Sequence, residues 1–221
     1  MTNTKLLRSG VSRKAHAPFW SRVGRGDLPG LGNLKKNIKD DEVILFSDAV
    51  HPTMATKISS CWIKKGSDKT IGTTASRTRM NIIGALELIK MEVHTKDYKT
   101  VNSESMIDFF DFLKEQYPGK KIYLILDNGA YNASLETRKA AKAKGITLVF
   151  LPTYSPNLNP IERLWKVMNK YTRNNRFFKT ATEFRDCIKS FFKKTWTDIA
   201  QSMRSCITDK FQAITKPNFS T

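Results

Sequence analysis

At 221 residues, 40% of them hydrophobic, the chain is long enough for one well-buried domain with appendages and is not disordered as a whole. Its 38 Lys and Arg against 20 Asp and Glu give a formal net charge of +18, the balance of a protein that meets a polyanion, with nucleic acid as the leading partner. No membrane partner is expected, because no apolar run approaches the roughly eighteen residues of a span and Met1 to Gly10 lacks a signal-peptide core. Cys61, Cys187 and Cys206 lie far apart without a CxxC pair, which predicts reduced thiols in a cytoplasmic protein rather than a disulfide framework or a zinc site. His16, His51 and His94 are equally scattered.

Residues 1–40, with "SRVGRGDLPGLGNLKK", have neither helical nor strand periodicity and read as a basic irregular arm. Order is expected from residue 41. "VILF" before Ser47 and Asp48 is a continuous apolar run of the kind a central strand shows when both faces are covered. A polar, basic excursion from His51 to Arg79 is too long for a tight hairpin and reads as an elaborated loop. "MNIIGALELI" and "MEVHTKDYKTV" are two strands close enough to pair.

Asn102 or Ser103 caps a helix with Met106, Phe109, Phe110, Leu113 and Tyr117 on one face, stopped by Pro118-Gly119. "KIYLIL" is a buried strand ending at Asp127, "SLETRKAAKAKG" a helix closed by Gly145, and "ITLVFL" a buried strand ending at Pro152. The next helix follows "LPTYSPNLNPIERLWKVMNK". There Asn159 is placed as N-cap and Pro160 as the first helical residue, and Glu162 completes a capping-box pattern. Ile161, Leu164, Trp165 and Met168 share one face of this helix, while Arg163, Lys166, Lys170 and Arg173 share the other and are candidate phosphate contacts. Residues 176–221 read as one or two basic amphipathic helices. The whole is an α/β plan with a central mixed five-stranded sheet covered on both faces, the catalytic unit spanning residues 41–175.

Asp48 and Asp127 are each expected to end a buried strand at its carboxyl end, the edge on which α/β sheets build sites. Ordinary roles compete for each acid: Asp127-Asn128-Gly129 is a strong turn signal, Asp48 suits a loop start, and Glu162 suits a cap. Three carboxylates at equivalent edge positions, beside a basic groove and without His or Cys ligands, point instead to Mg²⁺ or Mn²⁺ and to phosphodiester chemistry on two ions.

From about Asn33 to Thr195 the chain resembles the catalytic domain of DDE transposases of the mariner-like superfamily, in its bacterial insertion-sequence branch. The resemblance rests on "ILFSDAVHPT", "LILDNGAYN" and "VFLPTYSPNLNPIERLWKVMNK", with 34 residues, 128 to 161, between the second and third acids. It implies an RNase H-like fold with Asp48, Asp127 and Glu162 as catalytic metal ligands, supported by Asn128, Asn159 and Pro160. It also implies cleavage by water and then transfer by a DNA 3′-OH, without a covalent enzyme intermediate. Element ends and target DNA are the implied partners, in a homodimer, within a bacterial nucleoid.

In two places the chain departs from the family. Asn132 stands where members often carry histidine, and residues 1–32 are too short and irregular for the helix-turn-helix domain that reads terminal repeats, so a catalytic domain lacking its recognition domain is expected. Two other readings compete. A DNA-binding remnant or inhibitor would keep the basic surface without productive catalysis; the intact acids argue against it and the missing recognition domain argues for it. The proline-rich block before Glu162 argues against an RNase H-like nuclease.

Overall fold

The computed structural model describes residues 38–66, 68–152 and 158–208. The arm at 1–40, except its last three residues, residues 153–157 of the proline-rich block and the tail beyond 208 lie outside the described residues.

Strand β1 (Glu42–Val50) is the centre of the molecule because its apolar run, Val43 to Phe46, is covered on both faces. It pairs antiparallel with β2 (Asn81–Glu87) on one side and parallel with β4 (Lys121–Leu126) on the other. β3 (Glu92–Tyr98) and β5 (Ile146–Phe150) complete a mixed five-stranded sheet in the order β3-β2-β1-β4-β5. The two parallel pairs need crossovers, and helices supply them.

Helix α1 (Ser103–Gln116) makes the first crossover. Asn102 caps it in a full capping box: the Ser105 amide donates to Asn102 Oδ1 at 2.9 Å and the Asn102 amide donates to Ser105 Oγ at 2.8 Å. Its buried stripe, Met106, Phe109, Phe110 and Leu113, packs on Val43, Leu45, Ile83, Ala85 and Leu124 on one sheet face. A one-turn helix α2 (Ala130–Ala133) and helix α3 (Leu135–Ala143, capped by Ser134) form the second crossover. The expected helix is α3; the turn α2 precedes it and stays separate because Ser134 takes an extended conformation and its hydroxyl accepts from the Thr137 amide.

The opposite sheet face carries Ile44, Phe46 and Ile82, since strand side chains alternate. Helix α4 (Ile161–Thr172) lies against β1 and β2 with Ile161, Leu164, Trp165 and Met168 buried. The C-terminal residues form one helical run: α5 (Ala181–Ser190), a π-helical turn over Phe191–Thr195, and α6 (Trp196–Ile199). Its aromatic side packs on α4, with Trp165 edge-on to Phe192. Among the described residues no helix is long and apolar enough to cross a membrane.

Candidate active site

Asp48, Asp127 and Glu162 come from three elements at one end of the sheet. Asp127 directly follows β4 and is exposed. Asp48 does not end its strand as expected. β1 runs on to Val50, because its pairing with β4 stops at Phe46 while pairing with β2 continues through Asp48, opposite Gly84, to Val50. The acid therefore stands where the β4 side of β1 has opened. Glu162 lies in the first turn of α4.

Two of the acids, Asp48 and Asp127, are held by neighbours. The Trp165 indole N–H donates to Asp48 Oδ2 at 2.9 Å. The Trp165 ring is seated over Gly84: a Cβ there would overlap Cη2 and stand 3.0 Å from Cζ2, so glycine is required by close approach. The Asn132 amide donates to Asp127 Oδ1 at 2.7 Å, and the Gly129 N–H reaches the same oxygen at 3.1 Å. Asn132 thus orients Asp127 while being only 3% exposed itself.

Asn159 does not cap α4. Pro160 occupies the N-cap place with helical dihedrals and no side-chain bond, and neither the Asn159 cap nor the capping box forms. The buried Asn159 amide instead donates to the Ser47 carbonyl at 3.0 Å, drawn there because a buried donor must find a partner. That bond ties the chain before Glu162 to the residue before Asp48. Pro160 keeps a place at the start of the helix, and Asn128 is exposed beside Asp127.

Burial pushes the Asp48 carboxyl up to about 7, opposed by the Trp165 hydrogen bond and helped by the charges of Glu162 and Asp127. The same two aspartates, after burial, help raise the Tyr131 phenol to about 12. Tyr131 therefore borders the site as a neutral hydroxyl. None of the three acids has an ion pair among the described residues. Nor do any three Asp, Glu, His or Cys side chains among those residues stand close enough to hold one ion as a set.

The basic residues on α4 divide. Lys166 and Lys170 are exposed. Arg163 Nη1 donates to the Thr208 carbonyl at 2.7 Å, and Arg173 donates to Asn169 Oδ1 at 2.8 Å and Thr53 Oγ1 at 3.0 Å. These guanidiniums bind the protein to itself.

Residues 43–185, more than half of the chain, match the family described as DDE superfamily endonuclease. The chain belongs to this family. It is 29% identical over 157 residues to the insertion element IS630 uncharacterized 39 kDa protein of Shigella sonnei, covering 67% of this chain and 46% of that relative. Among solved structures, the Mos1 strand transfer complex superposes with a TM-score of 0.61 at 14% identity, over 80% of this chain and 55% of that one. The Mos1 transposase catalytic domain with raltegravir and Mn gives 0.54 at 12% identity, over 82% of this chain and 90% of that one. These likenesses show the fold, which is RNase H-like. The chain spans about half the length of the IS630 relative.

In this family member, sequence patterns single out the three acids but not Trp165 and Gly84 as a unit around Asp48. Trp165 reads as one more member of an apolar stripe, and only a tryptophan's polar N–H hints at a second task.

Proposed function

We propose that this chain is the catalytic domain of a transposase, cutting DNA at its element's ends and joining the freed 3′-OH to target DNA. The reading is carried by the placement of the acids. Asp48 on β1, Asp127 at the end of β4 and Glu162 in the first turn of α4 stand at one end of the sheet, near enough for the charges of Glu162 and Asp127 to act on Asp48. No ion pair among the described residues offsets them, which suits the site to a cation. The all-oxygen donors of Asp48, Asp127 and Glu162 fit Mg²⁺ or Mn²⁺, two ions as the family resemblance implies. Such ions, when bound, supply Lewis acidity at the phosphoryl group and a more acidic attacking water.

The chain's own residues do the positioning. Trp165 holds one oxygen of Asp48, and Asn132 with Gly129 holds one oxygen of Asp127. The Asn159 bond to Ser47 keeps the start of α4, and so Glu162, beside β1. Lys166 and Lys170 lie one and two turns beyond Glu162 and meet phosphates of the bound strand. In the first reaction a water oxygen bonds to phosphorus, the bond to the 3′ oxygen breaks, and that oxygen leaves as a hydroxyl. In the second, this hydroxyl loses its proton, attacks a target phosphorus and displaces the target's own 3′ oxygen. Joining two ends calls for two copies, so a homodimer on nucleoid DNA belongs to the same reading.

The test is nicking of plasmid DNA at low salt with Mg²⁺ or Mn²⁺, alongside Mn²⁺ and DNA binding. Asp48→Ala, Asp127→Ala and Glu162→Ala should each reduce cleavage by about a hundredfold or more while DNA binding persists. Wild-type cleavage by any of the three, or a wild-type chain that binds neither Mn²⁺ nor DNA, overturns the proposal.

A further inference from the structure

Between β1 and β2 the chain makes its long excursion, from His51 to Met80. Its base is built. The Met80 amide donates to the Pro52 carbonyl at 3.0 Å, Met54 to Thr78 at 2.8 Å and Thr56 to Thr74 at 3.1 Å. One side is fastened to the end of α4. The Asn175 side chain both accepts from the Ser59 amide and donates to the Ser59 carbonyl, each at 2.8 Å, and the Asn175 amide donates to the Lys57 carbonyl at 2.8 Å.

Beyond this fastening stands Trp62, 103% exposed, with Ile58 and Ile63 also largely in solvent. Isolated apolar side chains on a surface are ordinary, but a tryptophan with its whole surface in water contributes nothing to this fold. It is a candidate contact for a partner. Six exposed basic residues on the same excursion, Lys57, Lys64, Lys65, Lys69, Arg77 and Arg79, face one acid, Asp68, so the partner it fits is anionic.

The excursion also continues a basic line from the acids. Glu162, Lys166 and Lys170 follow one another at four-residue spacing along α4, and just past the end of the helix Asn174 bridges to Lys57. At 1.5 Å per residue the helical line from Glu162 to Lys170 is about 12 Å long, roughly three to four base pairs of duplex.

We propose that Trp62 is a base-stacking residue, its indole lying on an unpaired base of the DNA that runs from the acids along α4, with the loop lysines on the flanking phosphates. An exposed aromatic among cations is the combination that binds unpaired nucleic acid: the ring takes the base's face while the charges take the backbone. This rests on the reading of the chain as a DNA-processing domain.

The experiment measures affinity of the full chain for a duplex carrying a short unpaired gap and for the same duplex fully paired, by fluorescence anisotropy, with 2-aminopurine in the gap as a stacking reporter. Trp62→Ala should weaken gapped-DNA binding by about 5- to 100-fold and remove the 2-aminopurine response, while Trp62→Phe keeps most of both. The salt dependence should be the same for Trp62→Ala and wild type, because no charge changes. Thermal melting checks that Trp62→Ala folds, as an exposed side chain allows. Equal gapped-DNA affinity of wild type and Trp62→Ala overturns the inference. So does a Trp62→Ala chain whose only defect is loss of dimer in sedimentation, or of binding to phosphatidylserine vesicles. A wild-type chain that binds neither DNA fails at the underlying reading instead, which separates the two failures.

Discussion

Trp165 hydrogen-bonds Asp48 across 117 residues of sequence, and only the bare Cα of Gly84, the strand partner of Asp48, leaves room for its ring to do so. Packing and site geometry are therefore one feature. Gly84→Ala should push the indole off β2, lowering stability by about 1–3 kcal/mol and reducing cleavage more than the lost stability explains. Trp165→Phe keeps most of the packing but removes the donor, so DNA cleavage should fall and its pH profile should move to higher pH. Thermal melts and cleavage rates for both variants check this.

Asp48 also sets a pH dependence. Its folded pKa, about 7, lies above its ordinary 3.8, so the folded chain keeps a proton that the unfolded chain releases. That contribution to stability is fully present below pH 3.8 and is lost as pH rises through about 7. In EDTA, Asp48→Asn should therefore raise stability at pH 8 by about 2 kcal/mol, the low end for a shift of this size at a partly exposed group, and change it little at pH 4. The same variant should lose cleavage, a gain in stability at the cost of function. Denaturant titrations at the two pH values read it out.

Asn132 takes the place where family members often carry histidine, and here its N–H₂ group holds Asp127. Asn132→Ala should reduce cleavage or Mn²⁺ affinity by about 10- to 100-fold, as loss of a neighbour that orients a ligand does. Asn132→His, with a ring N–H available to the same oxygen, should recover more activity than alanine. Equal activity of the two variants would show that the hydrogen bond does not matter.

The four basic residues of α4 should separate in a salt titration. Lys166→Ala with Lys170→Ala should weaken binding to all duplexes alike and reduce the salt slope by about two phosphate contacts' worth. Arg163→Ala and Arg173→Ala should instead lower the melting temperature, because their guanidiniums hold Thr208 and Thr53. A salt slope that falls equally in the two pairs would contradict this division.

Much of the fold is legible because it depends on local regularity. The apolar runs around Leu45 and Leu124 declare buried strands, and the spacing of Met106, Phe109, Phe110 and Leu113 declares the helix that covers them. The run around Leu148 looks equally buried but forms the sheet edge, where only Ile146 is fully covered. The three acids are marked out in sequence for a related reason, since each follows an apolar run or opens one beside a turn or cap signal, although β1 itself continues through Asp48 to Val50. Asn159 shows the limit of such reading. Its position predicts a cap, but once buried its amide finds the carbonyl of Ser47, 112 residues away in the chain, and Pro160 takes the cap position with no side-chain bond.

The sequence by itself determined the elements, their faces and the approximate place of the carboxylates, since these follow from periodicity and backbone preference within a dozen residues. Only the tertiary structure decided what each face meets. It joined Trp165 to Asp48 over Gly84, turned Arg163 and Arg173 inward while leaving Lys166 and Lys170 in solvent, and fastened the long loop to Asn175 so that Trp62 stands clear. A helical wheel fixes the direction of a side chain but not the partner it finds, because that partner lies on another element, a hundred or more residues away for Asp48 and Thr53.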